Sequence, residues 1–297
     1  MNSPVPAARS VGDGANFEAR LHTEIRNIGI PPRPAILDKI DAEMRKDEPD
    51  FKHLAEIIGS DVGLAASVIK VANSPFFGFG KQARSVAEAL LVLGLKTVIH
   101  TIAGHALKNT FPRVPSLERF WDSAAQTARV SGWLAQRLRG QVRVRPEEAY
   151  TFGLFRDCGI PVLMIPFPEY PRILAQANAE TQRSFTAVED GLLSINHALV
   201  GAELAEDWRL PAEIHRAIRQ HHDAALLAEP AADREQEAMR QLIALAQVAE
   251  YLIQENTGLN RTREWDKLGA ACLALLSLDA DALAVLLADC REVLGEE

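Results

Sequence analysis

The chain has 297 residues, with 32 Lys and Arg against 40 Asp and Glu, which gives a formal net charge of −8. A hydrophobic fraction of 47% and a charged fraction of 24% are ordinary for a globular protein, so disorder along the whole chain is excluded. No uninterrupted apolar run reaches the roughly 18 residues of a membrane-spanning helix, and the N-terminus lacks the apolar core of a signal peptide. Three cysteines cannot form a disulfide framework. Together these features favour a cytoplasmic protein with no membrane partner.

The charge is distributed unevenly along the chain. Residues 17–115 carry 13 basic and 11 acidic side chains, whereas residues 116–297 carry 18 basic and 28 acidic ones. An acidic surface repels phosphate backbones. Residues 50–73 superficially suggest a helix-turn-helix. Its second helix, however, has only one basic residue, Lys70, whereas recognition helices supply several hydrogen-bond donors to phosphates and base edges. We therefore expect no nucleic-acid partner.

The first predicted elements are a tail and two short helices. Residues 1–16 are rich in Pro, Ala, Ser and Gly, which is typical of a flexible tail. Asp50 and Asp61 are candidate N-caps, because an aspartate can accept hydrogen bonds from the first free N–H groups of a helix. The second of these helices must end before Pro75, which cannot donate to the hydrogen-bond ladder.

Two further helices and a break follow. Ser85 and Glu88 have the spacing of a capping box, and the apolar run after them stops at Gly94. Another helix is predicted over residues 96–109. The proline-containing stretch 111–116 interrupts the helical pattern, and we interpret it as a joint between two subdomains.

Helical periodicity continues to the end of the chain. A second capping box over residues 186–189 is predicted to open a helix that runs through His197 to Glu206, and Pro211 suits the first position of the next one. No alternating strand pattern longer than a few residues is present, so the sequence predicts an all-α protein. The predicted helices of this part cover residues 117–138, 146–155, 186–206, 211–222, 235–257 and 279–294.

Asp157, His197, His221 and His222 are the residues whose chemistry stands out. Neutral imidazoles bind transition metals, and a nearby carboxylate can complete such a site. Neighbouring helical residues diverge by about 100°, so two adjacent histidines reach one small site only if their helix ends there. The alternative, that each is a hydrogen-bonded structural residue, stays open. Cys158 is interpreted as a small buried hydrophobe rather than a nucleophile.

Taken in order, the motifs resemble the HDOD family, the HD-related output domains, over residues 21–252. This family looks like a set of relatives of HD phosphohydrolases and HD-GYP phosphodiesterases that have lost catalytic residues. The resemblance implies an N-terminal helical subdomain, 17–115, packed on an HD-like helical subdomain, 116–297. The segments that carry it are 30–34, 54–61, 71–78, 87–94, 120–128, 153–159, 197–202 and 208–222.

The same resemblance implies that a catalytic metal site has been lost. Ser123 stands near the first histidine of catalytic HD proteins, and Arg156 replaces the histidine of their His-Asp pair, leaving Asp157 alone. Glu250 stands near their late aspartate. We therefore assign no catalytic residue, no bound metal and no cofactor, and we do not expect an enzyme.

Arg156 has a physical interpretation of its own. Arginine is always protonated and only donates hydrogen bonds, so it cannot ligate a cation. We hypothesise that its guanidinium neutralises Asp157 and Glu250, which a divalent metal would otherwise bridge; the rival is that Arg156 points to solvent. The degenerate metal site or ligand pocket would then comprise Ser123, Arg156, Asp157, His197, His221, His222 and Glu250.

The function that follows from the resemblance is a noncatalytic bacterial signal-transduction module that binds a partner protein. A small ligand such as a nucleotide, and a dimer, stay open. Stretches 74–79 and 161–170 are rich in Pro and aromatic residues and are candidate contact surfaces, unless they pack the two subdomains together. The alternative function is a metal-dependent HD-type phosphohydrolase or cyclic-nucleotide phosphodiesterase. The absence of a GYP sequence after His222 argues against the HD-GYP type.

Overall fold

The computed structural model describes residues 29–74, 82–111 and 115–295. Within these ranges the regular structure is helical, and the only β-type pairing is one isolated bridge between Arg139 and Val142. The predicted all-α class is therefore confirmed. The predicted tail, residues 1–16, lies outside the described residues.

The N-terminal part contains four described helices, and local capping explains where two of them begin. The Asp50 carboxylate accepts hydrogen bonds from the N–H groups of Lys52 and His53, and the Asp61 carboxylate caps the next helix in the same way. Both caps agree with the sequence prediction. The four helices are α1 (Ala35–Met44), α2 (Phe51–Gly59), α3 (Val62–Ala72) and α4 (Val86–Thr110).

Helix α4 is bent where the sequence predicts a stop. Gly94 has φ 70° and ψ 159°, a backbone conformation that favours glycine, so the segment consists of two helices joined end to end. The Ser85 hydroxyl accepts from the Glu88 N–H, as in a capping box, whereas the Glu88 carboxylate accepts from the N–H of Arg84. By length and composition α4 could cross a membrane, but half of its most apolar window is buried in the protein.

The second part of the chain supplies the other eleven described helices. The Asp279 carboxylate caps the last of them, and Gly258 ends the longest one in the left-handed conformation, close to the boundaries predicted for 279–294 and 235–257. These helices are α5 (Pro115–Arg137), α6 (Pro146–Phe155), α7 (Gly159–Leu163), α8 (Tyr170–Ala179), α9 (Phe185–Leu193), α10 (His197–Asp207), α11 (Ala212–Gln220), α12 (Ala224–Ala228), α13 (Arg234–Thr257), α14 (Glu264–Leu275) and α15 (Ala280–Leu294).

The predicted capping box at residues 186–189 is wrong. The Ser184 hydroxyl caps α9 instead, by accepting from the Ala187 N–H. That helix ends at Ser194, which is left-handed with φ 57°, and α10 starts afresh behind an Asn196 cap. The glutamate of the expected box, Glu189, is completely buried and bonded elsewhere, so it is not available to cap.

One apolar core runs through both predicted subdomains. Trp208 shows how the N-terminal segment joins it: the indole N–H donates to the Pro31 carbonyl at 2.9 Å, and the Arg33 side chain donates to the Trp208 carbonyl at 3.0 Å. Trp208 is only 1% exposed. The segment before α1 is therefore fastened to the turn after α10, far along the chain.

The two candidate contact stretches have different outcomes. Residues 75–79 of the first lie outside the described residues. In the second, the apolar side chains of residues 161–163 and the ring of Tyr170 are buried in the core, whereas Ile165 is 56% exposed. This stretch therefore packs mainly against the rest of the protein.

Candidate functional site

The ends of three helices bring four potential metal ligands together. Asp157 follows the end of α6, His197 is the first residue of α10, and His221 and His222 follow α11. Each offers one ligand atom, and these atoms all lie within 4.8 Å of one another. We call these four residues the imidazole–carboxylate cluster. The three histidines are buried and Asp157 is partly exposed.

His221 and His222 both reach the cluster because helix α11 ends immediately before them. Helix α11 stops at Gln220, His221 is its C-cap, and His222 lies in the following turn. Their ring centroids are only 4.0 Å apart. Two adjacent histidines can reach one small site only if their helix ends there, and this condition is met.

Two glycines allow the backbones that carry the cluster to touch. A Cβ atom on Gly159, at the start of α7, would lie 2.0 Å from the His197 carbonyl oxygen and 2.7 Å from the Gly201 nitrogen. These distances are far shorter than a van der Waals contact. Glycine at position 159 is thus what lets Asp157 and His197 approach each other.

The ligand atoms converge closely. The Nε2 atom of His197 lies 3.3 Å from Nε2 of His221 and 3.2 Å from Nε2 of His222. Oδ1 of Asp157 lies 3.2 Å from Nε2 of His221 and 3.5 Å from Nε2 of His197. Ligand atoms around a tetrahedral zinc ion lie roughly 3.3 Å apart, since zinc–nitrogen bonds are about 2.0 Å long. The observed spacing is of that size.

The outward nitrogen of each histidine has its own acceptor. Hydrogen bonding at Nδ1 leaves Nε2 free to bind a cation, which is the arrangement that usually orients histidine ligands. For His197, His221 and His222 in turn, the acceptors are the Glu189 carboxylate at 2.7 Å, the Ile218 carbonyl at 2.7 Å and the Glu264 carboxylate at 2.6 Å.

Four residues around the cluster were missed by sequence reasoning. Glu189 also accepts a hydrogen bond from the Tyr170 hydroxyl, and Glu264 forms an ion pair with a lysine. Phe185 stacks on His222 with ring centroids 4.9 Å apart and planes 16° apart. Glu189 fitted a capping pattern instead, and the other three residues carried no motif, so no local signal pointed to them.

The charges inside the cluster are uneven. Burial disfavours a charged His197, but the Glu189 and Asp157 carboxylates outweigh it and raise the pKa of His197 to about 10. Burial lowers the pKa of His222 to about 3, and the nearby imidazoles add to the effect. Burial would raise the pKa of Glu264, but its hydrogen bond with His222 and the neighbouring lysine lower it to about 2. One proton therefore resides at His197, where a metal ion would have to replace it.

Arg156 lies beside the cluster rather than in solvent, with 6% of its surface exposed. Its Nε donates to Asp157 Oδ2 at 2.9 Å, and its Nη2 lies 2.8 Å from Glu250 Oε2. The guanidinium thus bridges the two carboxylates named in the sequence hypothesis. Its positive charge lowers the pKa of Asp157 well below the usual range, against the opposing effect of burial.

The remaining candidates are further from the four ligand atoms. Glu250, on α13, reaches the cluster only through Arg156 and also accepts from Gln247 at 3.1 Å. Ser123 is half-buried on α5 and, within the described ranges, forms no hydrogen bond to the cluster. Cys158 is buried with its Sγ 3.5 Å from the Gly201 carbonyl, and burial raises the pKa of its thiol. These features fit a structural cysteine.

The cluster residues fit a single transition-metal ion. Three imidazole nitrogens and one carboxylate oxygen are a donor set that suits zinc or a similar ion. Asp157, His197, His221 and His222 would hold it, and Glu189 and Glu264 would orient two of the imidazoles. When bound, such an ion supplies a Lewis acid that polarises oxygen ligands and acidifies water.

The helical architecture is that of an HD-related protein, and in this chain Asp157 of the cluster lies beside Arg156. A family model agrees: the HDOD domain matches residues 30–224. The chain belongs to the HDOD domain family. This confirms the resemblance inferred from the sequence motifs.

Solved structures share the fold over almost the whole chain. An HDOD domain protein of unknown function from Geobacter sulfurreducens is 22% identical, with a TM-score of 0.59, covering 93% of this chain and 99% of that one. A proposed phosphohydrolase from Shewanella amazonensis SB2B is 21% identical, with a TM-score of 0.66 and coverage of 93% and 94%. A proposed signal transduction protein from Marinobacter aquaeolei VT8 is 23% identical, with a TM-score of 0.63 and coverage of 95% and 63%.

One curated relative is similar in sequence. An uncharacterized protein from Treponema pallidum (strain Nichols) is 27% identical over 198 residues. The match covers 65% of this chain and 38% of the relative, so the chain spans well under two thirds of that protein's length.

Proposed function

We propose that this protein is a noncatalytic signal-transduction module that works by binding a partner protein or a small ligand. The observation that carries the proposal is the position of Arg156, whose guanidinium contacts both Asp157 and Glu250. Two-metal hydrolysis needs ligand oxygens free to hold a second ion. Arginine permanently supplies the positive charge there and cannot ligate a metal.

Two further points support this proposal. Ser123, near the first histidine of catalytic HD relatives, has no imidazole to offer a metal. The Marinobacter protein of the same fold is named for signal transduction, and the name of the HDOD family denotes an HD-related output domain. A regulatory role needs the helical scaffold but does not need a second metal ion beside Asp157 and Glu250.

The test combines a hydrolysis assay with metal analysis. Tag-free wild-type protein is incubated with Mn²⁺, Fe²⁺ or Zn²⁺ and bis(p-nitrophenyl) phosphate, alongside Asp157→Asn. We expect the two proteins to hydrolyse the ester at the same background rate. A wild-type rate roughly 100-fold above that of Asp157→Asn would contradict the proposal, because general metal-assisted catalysis is of at least this size.

Arg156→His tests the role of the arginine directly. If the guanidinium stands in for a metal ion, the variant gains about one equivalent of transition metal over the wild type, measured by elemental analysis. Arg183→His, in an exposed pair with Glu180, is the matched control and should gain none. An unchanged metal content in Arg156→His would contradict the substitution argument.

The second candidate function is a metal-dependent phosphohydrolase, and the imidazole–carboxylate cluster favours it. Asp157, His197, His221 and His222 retain a donor set with metal-like spacing. The Shewanella protein of the same fold is a proposed phosphohydrolase. Stoichiometric metal in the purified wild type, together with ester hydrolysis that is lost in His222→Ala, would support this function over the first.

A further inference from the structure

A cavity of about 830 Å³ lies between the N-terminal helices and the HD-like part. Its walls come from α3, α4, α5 and α6, and none of the four cluster residues is among the described residues that line it. Small-molecule sites in proteins have volumes of about 300–1,000 Å³ and occur preferentially between domains. The cavity therefore has the size and the location of a ligand site.

One wall of the cavity is aromatic. Phe111 and Trp121 pack against each other with ring centroids 5.9 Å apart, and Tyr150 joins them from α6. All three rings are more than nine-tenths buried yet border the cavity. Burial raises the pKa of Tyr150 to about 12, so its phenol stays neutral. Such a wall is largely apolar, which suits contact with a planar ring.

The cavity also contains polar side chains that the described part of the chain leaves without a hydrogen bond or ion pair. The Ser74 hydroxyl is buried, with 7% exposure of the residue, and has no hydrogen-bond partner. Gln126 and Arg129, one turn apart on α5, are half-buried and likewise bond to no described residue. Unsatisfied buried polar groups cost free energy and are rare in native proteins. The buried Ser74 hydroxyl therefore points to a ligand, and the Gln126 and Arg129 side chains are available to bind it.

The charged side chains that line the cavity have a net positive charge, whereas the whole chain has a net charge of −8. Lys108 is neutralised by Glu118 at 2.8 Å, whereas Lys70 and Arg129 have no acidic partner in the described ranges. Asp122 is the other carboxylate that lines the cavity, and it is exposed. The balance favours an anionic ligand, and a guanidinium is well suited to phosphate.

We propose that this cavity binds a nucleoside monophosphate, with its base against Trp121 and its phosphate at Arg129. The inference rests on the proposed regulatory function, for which it supplies the small-molecule signal. A nucleotide combines the three features that the cavity requires: a planar ring, an anionic group and polar ring edges. The Gln126 amide offers both a donor and an acceptor for such an edge.

Isothermal titration calorimetry with AMP and GMP tests the inference on the full chain. We expect one of them to bind the wild type with a Kd below about 1 mM. Arg129→Gln should weaken binding at least tenfold, whereas Arg119→Gln, an exposed arginine on the same helix, should leave it unchanged. Adenosine or guanosine without phosphate should bind at least tenfold more weakly than its nucleotide.

Ala125→Trp provides a second variant that keeps the charge. Ala125 is an exposed residue of α5 that lines the cavity, so an indole there fills the space without burying a new polar group, and nucleotide binding should be lost. The inference is overturned if neither nucleotide binds at about 1 mM. It is also overturned if binding is the same in folded Arg129→Gln or in Ala125→Trp.

The bound nucleotide also separates this inference from the proposed function. After incubation the nucleotide is analysed by chromatography. Recovery of intact nucleotide agrees with a noncatalytic module that binds it. Cleavage that requires Asp157 would contradict the noncatalytic function, whereas absence of binding would overturn the cavity inference alone.

Discussion

Replacing Arg156 by methionine should destabilise the protein strongly. The variant keeps the volume of the side chain but leaves the Asp157 and Glu250 carboxylates without their common partner. Removing one member of a buried ion pair costs about 3–5 kcal/mol. Because the two carboxylate side chains are 26% and 18% exposed, water can replace part of the interaction. We therefore expect a loss of about 3 kcal/mol in the free energy of unfolding, at the lower end of that range.

The loss is measurable by urea unfolding and by thermal unfolding followed with far-UV circular dichroism. For a chain of this size, about 3 kcal/mol corresponds to a decrease of roughly 6–12 °C in Tm. Arg156→Lys keeps the positive charge and should recover part of the stability. Arg183→Met removes an exposed pair with Glu180 and should change the free energy by less than about 0.5 kcal/mol.

A small effect at Arg156 would refute this reasoning. If Arg156→Met unfolds within about 1 kcal/mol of the wild type, the guanidinium does not compensate two buried carboxylates. A loss of equal size in Arg156→Lys would show that packing, rather than charge, is what the arginine supplies. The double variant with Glu250→Gln should be more stable than Arg156→Met alone, because it removes one unpaired charge.

Three other predictions concern stability. Gly159→Ala should cost about 3 kcal/mol or more in urea unfolding, since its Cβ would lie 2.0 Å from the His197 carbonyl oxygen. Burial, together with a nearby lysine, lowers the pKa of His100 from 6.5 to about 4. The unfolded chain therefore binds this proton first, the contribution of His100 should lower stability by at most about 3 kcal/mol between pH 6.5 and 4, and His100→Gln should remove that part of the pH dependence. Trp208→Phe should cost about 2 kcal/mol in thermal unfolding, because it leaves the Pro31 carbonyl without its donor.

Each of these three predictions has a matched control. Gly191→Ala, where an added Cβ meets nothing within 4 Å, should not destabilise. His53→Gln, at a half-exposed histidine, should change the free energy of unfolding less than His100→Gln does. Trp133→Phe, whose indole forms no hydrogen bond to the described part of the chain, should cost less than Trp208→Phe. Equal effects in a variant and its control would contradict the explanation given for that variant.

The helix starts were predictable because capping is local. Asp50 and Asp61 each satisfy N–H groups two or three residues away, so the signal and its partner lie in one short window. The prediction at residues 186–189 was wrong because it, too, used only local spacing. The spacing was right for a capping box, but Glu189 is bonded to His197, and no local pattern records that contact.

The candidate site could be predicted only in part. Asp157, His197, His221 and His222 carry chemistry that a sequence reveals, and family resemblance added Arg156 and Glu250. Their convergence depends on where one helix ends and on the close approach of two glycines, both of which are settled by packing. The outward acceptors Glu189 and Glu264 could not be found, because their contacts with His197 and His222 join different helices through the tertiary fold.

Helix α6 runs from the cavity to the residues beside the imidazole–carboxylate cluster. Near its C-terminal end Gly153 has no side chain, and a Cβ there would lie 2.9 Å from both the Ala128 Cα atom and the Thr127 carbonyl oxygen of α5. No flexible side chain separates the two backbones at this point, so α5 and α6 cannot move closer together here. Tyr150, on α6, borders the cavity, and Arg156 directly follows the last residue of α6. The close contact at Gly153 therefore limits how α5 and α6 can move relative to each other between the cavity and the bridging guanidinium.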